Sequence, residues 1–85
     1  MPKSVFTDAY RSVIERLVAM RKERGVSQVE LARRLGKTQQ FISYIERGER
    51  RIDVVEFYAI AEALGLPPVE TFAAVVRNFP KNVVI

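Results

Sequence analysis

The 85-residue chain predicts an all-α fold of five helices in a single domain spanning residues 1–85. Three observations carry that expectation. Apolar residues recur at helical spacing in five segments, a capping residue or a proline opens each segment, and the four glycines fall where the first four segments end. A hydrophobic content of 48% argues against disorder, and the length suffices for one modest core.

The first helix is expected from about Asp8 to Arg24, capped by Thr7 or Asp8 and stopped by Gly25, with Phe6, Tyr10, Val13, Ile14, Leu17 and Met20 as its apolar stripe. In the second, Ser27 and Glu30 match a capping box, and Leu31, Ala32 and Leu35 are the buried positions. Gly36 allows a sharp turn, after which Thr38 can cap a third helix that Gly48 ends. Glu49 to Ile52 reads as a charged loop.

A fourth helix begins at Asp53, with Glu56 three residues on as a second capping-box pattern, and Val54, Phe57, Tyr58, Ala61 and Leu64 as its apolar side before Gly65. Pro67 and Pro68 suit a helix start, so the fifth is expected from Pro68 to Asn78, stopping before Pro80. Its apolar residues Val69, Phe72, Ala73, Val75, Val76 and Phe79 span an arc of roughly 160°, wider than a core-facing stripe requires. Either the helix closes a small core, or part of that arc faces another chain. The second reading makes residues 67–85 a dimerisation segment with Phe72, Val75, Val76 and Phe79 at the interface. The tail Val83-Val84-Ile85 then adds a strand-like contact or frays.

The third helix has two unlike faces. At about 100° per residue, with Gln39 at zero, Ser43, Arg47, Gln40 and Tyr44 fall between roughly 40° and 140°, whereas Phe41, Ile45 and Ile42 fall between roughly 200° and 300°. Ile42 and Ile45 are therefore core residues. Gln39 and Gln40 open the polar face at its N-terminal end, where a glutamine amide suits adenine N6 and N7 in a DNA major groove.

Charge points the same way. The formal net charge is +4, but Arg21 to Arg51 holds nine basic against four acidic residues (+5), while Ile52 to Ile85 holds two against four (−2). Such polarity suits one face on a polyanion. Arg47, Arg50 and Arg51, with Lys37 and Thr38 near the turn, are the candidate phosphate contacts.

Other classes fare worse. With no cysteine and no histidine, disulfides, zinc fingers and His-based catalysis are excluded, and the carboxylates have cap, ion-pair or surface roles, so no enzyme and no cofactor is expected. No segment has the apolar length of a signal or a membrane span, and the fifth helix lacks the basic face of a membrane-surface binder, so a cytoplasmic location is expected.

Residues 17 to 65 resemble the Cro/repressor-type (XRE-like) helix-turn-helix family of bacterial and phage regulators. The resemblance rests on Gly25-Val26-Ser27-Gln28, Glu30-Leu31-Ala32, Leu35-Gly36, the run Ile42 to Gly48, and Ala61-Glu62-Ala63-Leu64-Gly65. It implies a five-helix lambda-repressor-like domain that binds double-stranded DNA as a homodimer on a two-fold-related operator. It further implies that Gln28 bonds a backbone phosphate, that Gln39, Gln40, Ser43 and Tyr44 meet bases and phosphates, and that Arg21 pairs with Glu46. Paired glutamines of this kind resemble those of lambdoid repressors that read A·T-rich half-site ends. The chain departs from the family pattern at Lys37, where an apolar turn residue is common, at Tyr44, where a polar or basic reader is usual, and at Ile52, often proline.

The function so implied is a sequence-specific transcriptional regulator, a repressor that occludes a promoter. Because such domains also serve as protein-binding modules, an antitoxin-type protein with a protein partner on the fifth helix and tail is the alternative.

Overall fold

The computed structural model describes residues 7–83. Phe6, Val84 and Ile85, assigned above to the first stripe and the tail, lie outside the described residues. The described chain forms α1 (Asp8–Glu23), α2 (Gln28–Leu35), α3 (Gln39–Glu46), α4 (Val54–Ala63) and α5 (Pro68–Val76), with no strand among the described residues.

Each start has a local chemical cause. The Thr7 hydroxyl accepts from the Tyr10 amide at 3.1 Å, Ser27 from Glu30 at 3.0 Å and Thr38 from Phe41 at 3.2 Å, so each satisfies an amide that its helix leaves unpaired. Only α4 has the closed box, Asp53 accepting from the Glu56 amide at 2.7 Å while the Asp53 amide donates to the Glu56 carboxylate at 3.0 Å. The box expected at Ser27 and Glu30 is half formed. Glu30 turns instead to Arg33 and Arg34 on its own helix, whose guanidinium groups outbid one backbone amide for a carboxylate.

Gly36 sits at φ +68° in the left-handed region, and this lets the Lys37 amide reach back to the Ala32 carbonyl at 2.9 Å and close α2. A side chain there would cost about 1–2 kcal/mol. α3 follows the turn and packs on α2, while α1 packs on both α3 and α5. The far end of α4 is closed by side chains from other helices: Arg24 Nε donates to the Leu64 carbonyl at 2.9 Å and Arg34 Nη1 to the Ala63 carbonyl at 2.7 Å.

The core joins Tyr10, Ile14, Leu17 and Met20 of α1 to Leu31 and Ala32 of α2, Ile42 and Ile45 of α3, and Phe57, Ile60 and Leu64 from α4 and its cap. The sidedness of α4 and α5 differs from that expected from the sequence. The sequence places Val54 and Tyr58 on the apolar side of the fourth helix, but both are exposed, Val54 at 82%. α4 is apolar almost all round, so its period does not choose a face; its docking against α2 and α5 does.

Val75 is only 1% exposed and lies in the core, so it is not an interface residue, and Phe79 is half-buried against the same core. Thr71 and Val75, one turn apart, form the inward edge of α5, which turns Val69, Phe72 and Val76 outward. Phe72 still touches the core at its rim, its ring edge-on to Phe57 at 5.5 Å. α5 also ends at Val76 rather than Asn78, because the Asn78 and Phe79 amides fold back onto the Val75 and Val76 carbonyls at 3.1 and 3.0 Å. Among the described residues no single helix is long and apolar enough to cross a membrane.

Candidate nucleic-acid interface

α3 is held from below and presents its polar residues outward. Ile42 and Ile45 are buried, Gln39, Gln40 and Arg47 are exposed, and Ser43 and Tyr44 are half-buried on the same side. The short α2–α3 connection, Gly36 to Thr38, sets that outward face beside the N-terminus of α2.

A polar chain runs from the core to this face. Arg21 of α1 donates through Nε to Glu46 Oε2 at 2.6 Å, through Nη2 to Glu46 Oε1 at 2.9 Å, and through Nη1 to the Val26 carbonyl at 2.8 Å. Gln28 Nε2 donates to the same Glu46 Oε1 at 2.8 Å, and Gln28 Oε1 accepts from Gln39 Nε2 at 3.2 Å. Arg21 and Glu46 thus anchor the end of α3, and through Gln28 they orient the first amide of the outer face. The sequence contains all four residues but does not reveal the relay, since Gln28 and Gln39 meet only once the turn has brought α2 and α3 together.

The second amide is held from its own helix. Gln40 Nε2 donates to the Tyr44 hydroxyl at 2.7 Å, and the Arg47 guanidinium lies 5.1 Å from the centre of the Tyr44 ring. Arg47 also pairs with Glu49 at 3.2 Å on an exposed surface where such a bond yields readily.

The candidate phosphate contacts divide into groups. Gln28 and Thr38 already hold internal bonds, to Glu46 and Gln39 and to the Phe41 amide. Lys37 and Arg50 flank the Phe41 ring at 5.3 and 4.7 Å, and Arg50 also grips Glu56 through two bonds of 3.0 and 2.9 Å. The Arg50 guanidinium holds the Glu56 carboxyl below the usual carboxylate range. Arg51 lies 4.3 Å from the centre of the Tyr10 ring, whose hydroxyl accepts from the Ile52 amide at 2.9 Å. Arg47 therefore joins the face of Gln39, Gln40, Ser43 and Tyr44, whereas Arg50 and Arg51 stand apart from it, turned towards α4 and α1. At the other end of α2, Arg33 and then Arg34 pull the Glu30 carboxyl down to about 2. Among the described residues no cluster of side chains is arranged to hold a metal ion.

A two-helix unit with a glycine turn, whose second helix offers amide, hydroxyl and guanidinium groups on one anchored face, defines a helix-turn-helix DNA-binding domain. The chain belongs to the XRE-like helix-turn-helix family of transcriptional regulators: the family model described as Helix-turn-helix matches residues 17–70. It is 38% identical over 63 residues to the HTH-type transcriptional regulator y4dJ of Sinorhizobium fredii, covering 74% of this chain and 82% of that one. Among solved structures it is similar to an XRE-family like protein from Pseudomonas syringae pv. tomato, with TM-score 0.79, 35% identity and coverage of 85% and 88% of the two chains. It is also similar to a mutant of the restriction-modification controller protein C.Esp1396I, with TM-score 0.76, 25% identity and coverage of 86% and 92%. That controller has been solved as a tetramer in complex with its natural 35 base-pair operator, a likeness of TM-score 0.75 at 24% identity over 84% of this chain and 93% of that one.

Proposed function

We propose that this protein is a cytoplasmic repressor that binds a pseudo-palindromic operator as a homodimer and blocks a promoter by occupying it. The observation that carries the reading is the anchored pair Gln39 and Gln40 at the N-terminal end of α3, both exposed and each with an amide proton already committed. Gln39, Gln40, Ser43 and Tyr44 are the proposed base-facing group, with Arg47 at its edge on a phosphate. Lys37, Arg50 and Arg51 supply positive potential on the flanks of the motif.

A homodimer supports such reading because one domain makes few base contacts, whereas a two-fold pair sets two reading helices about one DNA turn, ~34 Å, apart. Val54, Val69, Phe72 and Val76 form an apolar exposed patch on α4 and α5, on the acidic half of the chain, and this is the proposed contact between copies. Selection of bound sites from a random DNA pool tests the reading: an enriched inverted repeat supports it, and no enrichment contradicts it.

One observation favours a second reading. The same patch borders an apolar groove of about 350 Å³ lined by Tyr10, Val13, Ile52, Phe57, Val69 and Phe72. A groove of this kind also suits an antitoxin-type domain that seats a segment of a partner protein. Co-purification of a second protein in fixed stoichiometry, together with weak DNA binding by the isolated chain, would favour that reading.

A further inference from the structure

We infer that Tyr44 is a positioning residue for sequence reading: its hydroxyl anchors the Gln40 amide and leaves the adenine-matching edge of that amide free. The inference rests on the proposed DNA-binding role of α3 and deepens it. A glutamine amide has one carbonyl acceptor and two N–H donors, and its two flat orientations present different edges. With Nε2 donating to the Tyr44 hydroxyl at 2.7 Å, one N–H is used inside the protein. The other N–H and Oε1 remain, the adjacent donor and acceptor that match adenine N7 and N6. The Tyr44 contact therefore fixes where the Gln40 amide lies and leaves that edge available to a base.

The geometry makes Tyr44 a firm support. It lies one helical turn after Gln40 on the same face, where side chains four apart meet. Gln40 itself is exposed and would otherwise lose rotamer freedom on binding, whereas the Tyr44 ring is half-buried and has the Arg47 guanidinium 5.1 Å from its centre. Gln39 has its own support in Gln28, so the two amides are oriented by independent contacts. The hydroxyl of Tyr44 is thus assigned to Gln40 rather than to a base.

Tyr44→Phe tests this directly, since it removes the hydroxyl and keeps the ring beside Arg47. Binding is measured for the wild type, Tyr44→Phe, Gln40→Ala and the double variant against a library with every base pair of the selected site varied singly, and thermal unfolding of each variant is recorded. The expected result is that Tyr44→Phe lowers the preference for adenine by about three- to tenfold at one base pair, the pair at which Gln40→Ala abolishes preference. Other positions and the unfolding midpoint stay unchanged, and adding Tyr44→Phe to Gln40→Ala has no further effect. An unaltered preference in Tyr44→Phe, or a loss at a base pair other than that of Gln40, would overturn the assignment while leaving the DNA-binding reading intact. A folded wild-type protein with no preference at any base pair would overturn both.

Discussion

Arg21 of α1 and Glu46 at the end of α3 form a two-point ion pair, 2.6 and 2.9 Å, with side chains only 9% and 13% exposed. The remaining Arg21 nitrogen is taken by the Val26 carbonyl, and the second Glu46 oxygen is shared with Gln28. A continuous chain of hydrogen bonds therefore links this interior pair, through Gln28, to Gln39 on the outer face of α3.

Removing one partner strands the other charge in a site with little water. Glu46→Ala or Arg21→Ala is expected to lower unfolding stability by about 3–5 kcal/mol. Urea unfolding of the two single variants and the double variant checks this, and the double variant should lose clearly less than the two single losses added together. Strict additivity would contradict the coupling.

The Glu30 carboxyl, held by Arg33 first and Arg34 second, should titrate at about 2 instead of at its ordinary 4.5. Because the folded value is depressed, the stabilising contribution is fully present above about 4.5 and is lost as pH falls towards about 2. The three side chains are on an exposed surface, so the effect is screened by salt. NMR titration of the Glu30 side chain in low and high salt is the check, with a midpoint at the ordinary value in low salt as the contrary result.

Arg47 and Arg50 should behave differently on DNA. Arg47→Ala is expected to reduce the slope of log affinity against log salt by about one unit, the signature of one lost phosphate contact. Arg50 is gripped by Glu56 and stacked on Phe41, so Arg50→Ala should change the slope less and lower stability more. Equal slope changes for the two variants would place Arg50 on the DNA as well.

Within α5, Val69 and Val75 separate association from folding. Val75→Ala removes buried methyl groups and should destabilise the folded chain by about 1–3 kcal/mol. Val69, 78% exposed, should tolerate Val69→Asp with an unchanged unfolding midpoint measured on dilute monomer, while sedimentation equilibrium shows a weakened dimer. An unchanged dimer would move the contact away from α5.

The helices are legible in the sequence because their signals are local. Ser27, Thr38 and Asp53 cap amides three residues away, and Gly36 ends α2 by its own backbone conformation. The common face of Gln39, Gln40, Ser43, Tyr44 and Arg47 follows from helical period alone. What the sequence conceals depends on residues distant along the chain. Val75 and Phe72 are equally apolar, and only the docking of α5 on α1 and α4 decides that the first is buried. Arg24 and Arg34 read as basic surface residues, yet each reaches a carbonyl at the end of α4, 40 and 29 residues away. Arg50 finds Glu56 for the same reason, and a cluster of arginines in sequence becomes separate neighbourhoods in space.

On the proposed function, the outer face of α3 reads base pairs in two copies related by a two-fold axis. The most direct measurement is the selection of binding sites by the wild-type chain from a random duplex pool, followed by the stoichiometry of protein on the selected site. The expected result is an inverted repeat whose half-site centres lie one helical turn, roughly 10 base pairs, apart, occupied by two chains. A single non-repeated site occupied by one chain, or a pool that never departs from random, would contradict it.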